Sequence, residues 1–150
     1  MQLKVHQFVE EHTKHLDNPK TLDVGSFDVN GSLKDLFEDY TGLDMRDGPN
    51  VDVVANGHKL PFKGGTFDLV TSVETFEHDD DPFRTMHEIH RVLKPGGLAV
   101  IAASGINFPK HDYPSDYFRY TSEGMAVLLK KFNNIYTTSD DNEAYGVGTK

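Results

Sequence analysis

At 150 residues, 37% hydrophobic and 26% charged, the chain has the size and composition of one globular domain, which buries about 70% of the surface its unfolded form exposes. Its formal charge of −9 disfavours a nucleic-acid partner, because binding to a phosphate backbone is driven largely by Lys and Arg releasing counterions. The absence of cysteine excludes disulfides, thiolate metal sites and a cysteine nucleophile, and no apolar run reaches the roughly 20 residues that span a bilayer.

Val5, Val9, His12 and Leu16 recur at helical spacing, which predicts an amphipathic helix over residues 2–16, ended by Asn18-Pro19. Charged residues interrupt this segment, so it lacks the apolar core of a secretion signal and the expected compartment is the cytoplasm. Thr21 to Val24 reads as the first strand, followed by a turn at Gly25 and a helix from about Ser32 to Glu38 with Leu33, Leu36 and Phe37 inward. Tyr40 to Met45 and Val51 to Ala55 read as the second and third strands, and residues 59–65 hold too many breakers for a helix. Phe67 to Val73 is the fourth strand. Asp81-Pro82 opens a helix with a capping residue and a proline in the first turn, and Lys94-Pro95-Gly96-Gly97 closes it. Leu98 to Ala103 is the fifth strand, and residues 105–120 are a long loop dense in aromatic and charged side chains. Thr121 or Ser122 caps a helix to about Lys131, after which Ile135 to Ser139 and Ala144 to Gly148 suit a terminal hairpin. Alternating strands and helices imply a mainly parallel sheet covered on both faces, with ligands beyond the carboxyl ends of its strands. One domain spans residues 1–150.

Two residues carry the first chemical signal. Gly25 stands where the chain turns sharply, and its missing side chain lets a ligand approach the backbone. Asp44, at the end of the second strand, is placed to accept hydrogen bonds from both ribose hydroxyls. A plain strand-to-helix turn and a solvated carboxylate account for either residue alone; together they point to a nucleoside cofactor. The pattern Gly25-x-Phe27-x-x-Asn30-Gly31 lacks the regular glycines that admit a pyrophosphate to a helix N-terminus, so a dinucleotide is disfavoured.

In that order, LDVGSFDVNGS, YTGLDM, ANGHKLPFKGGTFDLVTSVETFEHDDDPF and HRVLKPGGLAVIAASG resemble the class I S-adenosylmethionine-dependent methyltransferases, in particular the small-molecule, type 11-like branch. The resemblance covers about residues 20–104, and RVLKPGG at 91–97 is its most distinctive piece. It implies an α/β, Rossmann-like three-layer sandwich with strand order 3-2-1-4-5 and an antiparallel C-terminal hairpin. It also implies S-adenosylmethionine as cofactor, S-adenosylhomocysteine as product and a small-molecule acceptor. Asp23 and Gly25 would line the methionine end with Val73 and Glu74, Asp44 would hold the ribose, and Asn56 and Leu60 would lie by the adenine. Ser26, Met45 and Gly57 would complete the cofactor contacts. Phe27 stands where the family usually has a second glycine, so its ring must turn away from the cofactor or partly cover it.

Methyl transfer from a sulfonium needs no general base, but a hydroxyl acceptor benefits from one, and His78 and His111 are the candidates. The plainer account of His78 is a structural histidine beside Asp79-Asp80-Asp81. Loop HDYPSDYFRYT, residues 111–121, either closes over ligands or packs Tyr117, Phe118 and Tyr120 on the sheet while Arg119 pairs with an acid. His12 and His15, like His87 and His90, lie three apart on helices, but HExxH is absent and no metal is expected. With little chain left for a cap, the acceptor site is open, built from residues 105–120, or completed by a second copy. Two competing readings stay open: a non-catalytic S-adenosylmethionine-binding or interaction module, and an NAD-dependent oxidoreductase.

Overall fold

The computed structural model describes residues 3–29, 31–112 and 114–150. Gln2 of the expected first helix, Asn30 of the glycine pattern and Tyr113 of the aromatic loop lie outside the described residues. The elements run α1 (Leu3–Thr13), β1 (Thr21–Val24), β2 (Tyr40–Asp44), β3 (Val53–Val54), β4 (Phe67–Val73), α2 (Pro82–Val92), β5 (Leu93–Ser104), α3 (Ser122–Leu128), β6 (Asn133–Ser139) and β7 (Glu143–Thr149). Single 3-10 turns lie at Lys34–Leu36 and Phe76–His78.

One sheet holds all strands in the order β3-β2-β1-β4-β5-β7-β6. The first five are parallel, and β7 runs antiparallel between β5 and β6. The inward-outward alternation of β4 and β5 splits the core in two. Val70, Ala99 and Ile101 pack with Met86 and Ile89 of α2, Met125 of α3 and Leu129 at its C-cap, while Leu69, Val100 and Ala102 pack with Val5 and Val9 of α1 and with Leu33 and Phe37. This is the three-layer sandwich. Asp81 caps α2 by accepting the Arg84 N–H, and Thr121 caps α3 by accepting that of Gly124.

Four expectations differ from the structure. The helix expected over 32–38 is only the turn at Lys34–Leu36, because one turn suffices to bury Leu33 and Phe37 and so short a segment cannot offset helix nucleation. The third strand shrinks to Val53–Val54 because Asp52 turns its carboxylate into the ladder and accepts the Gly42 N–H at 2.8 Å. Helix α2 stops at Val92, just before Lys94-Pro95-Gly96-Gly97 as expected, but β5 begins already at Leu93: the pairing with β4 slips between Phe67–Leu93 and Leu69–Leu98, so these residues form a bulge inside the strand. The terminal strands are longer than expected, and the last one enters the sheet beside β5, buried along nearly its whole length. Gly146 permits this, since a Cβ there would lie 2.5 Å from Met125.

The LPF and RVL segments meet in a clamp. The Glu88 carboxylate, nearly buried, accepts Arg91 Nε at 2.6 Å and the Leu60 N–H at 2.9 Å. The same guanidinium donates to the carbonyls of Phe62 (2.8 Å) and Leu60 (3.0 Å). The Arg91 guanidinium holds the Glu88 carboxyl below its ordinary range. No helix among the described residues is long and apolar enough to cross a membrane.

Candidate cofactor and acceptor site

A cavity of about 730 Å3 opens beyond the carboxyl ends of β1, β2 and β4. Asp23, Gly25, Ser26, Phe27, Asp44, Met45, Asn56, Gly57, Val73, Glu74, His78 and His111 all border it. Leu60 does not: it is 3% exposed, buried in the core under α2, where its N–H is bound to Glu88. The structure therefore places Leu60 away from the cavity, where an adenine-side role was expected of it, and in the Arg91 clamp.

Gly25 adopts φ +83°, and a Cβ on it would sit 1.9 Å from Thr75 Oγ1. Glycine is needed there for both conformation and space. The Gly25 and Ser26 N–H groups donate to the Leu43 carbonyl at 2.8 and 3.0 Å, which fixes the turn against β2. Glu74 leaves β4 at φ +52°, a conformation costly for a side-chain-bearing residue and often kept at ligand sites. Below the turn, the buried Asp23 accepts the Tyr40 hydroxyl at 2.7 Å and the Thr71 hydroxyl at 2.8 Å. Burial pushes its carboxyl up to about 6 despite those two hydrogen bonds, with the nearby Asp44 charge adding to the effect. Asn50 extends the network, donating to the Tyr40 oxygen (2.8 Å) and the Ser26 carbonyl (3.1 Å), while Ser26 Oγ donates to the Asn50 carbonyl (2.9 Å).

Asp44 accepts one backbone N–H on each oxygen, from Phe27 at 3.3 Å and Arg46 at 3.0 Å. Each carboxylate oxygen carries a further lone pair, so the residue retains capacity for a diol. The Phe27 ring lies under the Arg46 guanidinium, 4.4 Å from centroid to carbon, and against Gly48, where a Cβ would fall 2.4 Å from the ring. Its ring is thus pinned to the turn after β2 as part of the cavity wall. Asn56 Oδ1 accepts the His58 N–H at 2.9 Å, so one lone pair of the oxygen expected to face an adenine is already engaged.

His78 and His111, 33 positions apart in sequence, meet edge to face with ring centroids 4.7 Å apart. Between them sits Glu77, fully buried, with Oε1 accepting Ser104 Oγ at 2.8 Å. Sequence reasoning passed over Glu77, whose only signal was its place between a strand end and a histidine. It also missed Thr75 and the pair His58 Nε2–Asp79 Oδ1 at 2.6 Å, both on the cavity wall. In loop 105–120 the packing expected of residues 111–121 holds for Tyr120 and the acid pair holds for Arg119, while Tyr117 and Phe118 stay exposed. Arg119 pairs with Asp116 and donates to the Phe108 and Pro109 carbonyls (both 3.0 Å), holding the Asp116 carboxyl far below its usual range. Tyr120 is buried and donates to the Phe76 carbonyl at 3.0 Å. Tyr117, in contrast, is exposed and borders the cavity with Pro114 and Ser115. The histidines of the helices stay apart from this centre: His90 stacks edge-on against Phe132 and His12 on Phe8.

A sheet of order 3-2-1-4-5-7-6 with a glycine turn after β1, an acid at the end of β2 and a ligand-sized cavity over both defines the class I methyltransferases, type 11-like. The chain belongs to the methyltransferase domain family, which residues 12–101 match. It is similar to the demethylmenaquinone methyltransferase of Listeria monocytogenes serotype 4a, 38% identical over 108 residues, 69% of this chain and 43% of that protein. It is also similar to the mitochondrial arginine-hydroxylase NDUFAF5 of Mus musculus, 42% identical over 93 residues, 61% of this chain and 25% of that protein. The chain spans less than half the length of these curated relatives. Its fold matches the crystal structure of a SAM-dependent methyltransferase, a possible histamine N-methyltransferase, from Thermotoga maritima. That likeness has a TM-score of 0.72 at 20% identity and covers 98% of this chain and 92% of that one.

Proposed function

We propose that the protein transfers a methyl group from S-adenosylmethionine to a small-molecule acceptor. The observation that carries this reading is the convergence of Gly25, Asp44 and Glu74, from three adjacent strands, on one cavity of about 730 Å3. That size lies in the upper part of the roughly 300–1,000 Å3 range of small-ligand sites. The donor set fits a nucleoside without phosphates. Asp44 offers acceptors for a ribose diol, and Gly25, packed against Thr75, borders the same cavity. Among the described residues, only the single turn at Lys34–Leu36 lies between β1 and β2, so no helix N-terminus is available there to cradle a pyrophosphate. This weighs against NAD.

When bound, S-adenosylmethionine supplies an electrophilic methyl carbon and leaves as S-adenosylhomocysteine. Asp44 holds the ribose, the Gly25–Ser26 turn and Glu74 border the methionine end, and the 105–120 loop with Tyr117 flanks the acceptor. Positioning and exclusion of water are sufficient for most of the acceleration of an in-line displacement. His78 or His111 receives the proton of a hydroxyl acceptor.

Calorimetric titration with S-adenosylmethionine, S-adenosylhomocysteine and NAD tests the reading. The two sulfur nucleosides are expected to bind and NAD to give no heat. Asp44→Ala should weaken the sulfur nucleosides by about 1.5–3 kcal/mol, the usual worth of hydrogen bonds to a charged group. Unchanged affinity would remove Asp44 from the site, and binding without S-adenosylhomocysteine release across a broad panel of phenols, amines and carboxylates would mark a non-catalytic module.

A further inference from the structure

We propose that Glu77, His78 and His111 form a site for a divalent transition-metal ion beside the cofactor cavity, built to hold an oxygen of the acceptor. Glu77 Oε1 lies 3.9 Å from His78 Nε2 and 3.8 Å from His111 Nε2, and one donor atom from each residue falls within 4.8 Å of the others. Tetrahedral zinc, with bonds of about 2.0–2.2 Å, sets its ligands about 3.4 Å apart, so each histidine closes on Glu77 Oε1 by about half an ångström and the two imidazole nitrogens, within 4.8 Å of one another, draw together to the same separation.

The tautomers are already arranged for ligation. His78 Nδ1 contacts the Ser115 carbonyl and His111 Nδ1 the Pro109 carbonyl at 3.1 Å. A carbonyl only accepts, so in each neutral imidazole Nδ1 carries the proton and Nε2 presents a lone pair. Metal-binding histidines are typically oriented by such a second hydrogen bond. Two lone pairs therefore face a carboxylate oxygen, an arrangement that repels itself until a cation lies between them.

Glu77 supplies the second, independent observation. It is fully buried, and its Oε2 has no hydrogen-bond partner among the described residues. A buried carboxylate with one oxygen unpartnered is costly, and a cation held at Oε1, the oxygen that lies by both imidazoles, would neutralise its charge. The neighbouring His58–Asp79–Asp80 group lacks this signature. There Asp79 is satisfied on both oxygens, by His58 Nε2 (2.6 Å) and the Asp81 N–H (2.9 Å) on one and by Thr85 Oγ1 on the other. Two imidazoles and one carboxylate suit Zn2+, Fe2+ or Co2+ over Mg2+ or Ca2+, which prefer all-oxygen sets.

Both imidazoles border the cavity, so an ion between them borders the space shared by Gly25 and Glu74. An open coordination position there would lower the pKa of a bound hydroxyl and favour its oxyanion, the better nucleophile. With both Nε2 atoms on the ion, this activation takes the place of a histidine base; it rests on the methyl-transfer reading, whereas the metal site itself does not.

The purified protein, stripped with chelator, is titrated with Zn2+ by calorimetry and with Co2+ by visible absorption, in parallel with S-adenosylmethionine. One Zn2+ per chain and a Co2+ ligand-field band are expected. His111→Ala, on a surface loop, should weaken Zn2+ at least tenfold with the apo protein still folded, and Glu77→Gln should weaken Zn2+ likewise without lowering the apo melting temperature. His58→Ala should leave Zn2+ affinity as it is. Absence of Zn2+ binding, or equal binding by wild type and His111→Ala, overturns the site. Zn2+ binding without S-adenosylmethionine binding keeps the site and discards the methyl-transfer reading; the reverse result does the opposite.

Discussion

At the residue scale, Asp44 and Phe27 divide the work at one edge of the cavity. The carboxylate is anchored by the Phe27 and Arg46 N–H groups, while the phenyl ring is held sideways by Arg46 and Gly48. Phe27→Gly is accordingly expected to lose only the ring's packing and about 0.5–1 kcal/mol of cation–π attraction, with S-adenosylmethionine affinity changed less than about threefold. A loss as large as that of Asp44→Ala would make the ring a direct cofactor contact. Gly25→Ala should behave differently, since the new Cβ would strike Thr75 and the residue sits at φ +83°. About 1–3 kcal/mol of backbone strain is expected, read as a lower urea midpoint, together with weaker cofactor binding; a midpoint equal to wild type would show that the turn adapts. Gly25 and Asp44 were legible in sequence because each ends a strand and so has a fixed address in this topology. The Glu77–His78–His111 centre was not, because its members meet only when residues 105–120 fold back onto the turn after β4, a contact that local periodicity does not encode.

At the scale of elements, strong periodicity marks where a helix lies, although α1 and α3 stop about three residues short of their expected ends, and short segments mislead. Helix α2 has a cap, a proline and an apolar stripe that agree with one another, and its start is where the sequence places it. The segment at 32–38 carried the same kind of stripe but too few residues to outlast nucleation. Lys94-Pro95-Gly96-Gly97 has a helix-ending composition, yet the Lys150 N–H donates to the Gly97 carbonyl and the Gly96 N–H to the Lys150 carbonyl. The helix stops where that composition places its end, and pairing with the far C-terminus draws the same residues into the strand. The Arg91 clamp shows the reverse, a motif whose sequence signature is strong and whose role is packing. Arg91→Ala would leave the nearly buried Glu88 carboxylate with the Leu60 N–H alone and free two loop carbonyls. A loss of about 1.5–3 kcal/mol in urea unfolding is expected, and Glu88→Gln/Arg91→Ala should cost less than the sum of its parts. Additivity within error would mean that the two side chains act separately.

For the whole molecule, two groups of carboxylates pull the pH dependence in opposite directions. Asp68, Glu88, Asp116 and Asp140 are held below their usual values by hydrogen bonds from Lys94, Arg91, Arg119 and the Asn142 N–H respectively, so their stabilisation is lost as the pH falls. Asp23 and Glu143 are pushed up by burial, to about 6 and about 8. Unfolded, Asp23 gives up its proton near 3.8, whereas folded it keeps the proton to about 6. Across that window the unfolded chain binds fewer protons, so stability falls with rising pH, by about 3 kcal/mol for a shift of this size. Glu143, which faces the charges of Glu74, Glu77, Asp140 and Arg119, extends the decline towards pH 8. The stability maximum is therefore expected on the acid side of neutrality, which thermal melts between pH 4 and pH 9 would locate. Asp23→Asn imitates the protonated carboxyl in the Tyr40–Thr71 network. It should match wild type near pH 4 and lose less between pH 4 and pH 6. Parallel curves for the two proteins would show that Asp23 keeps an ordinary pKa and that the buried network under the glycine turn is charged throughout.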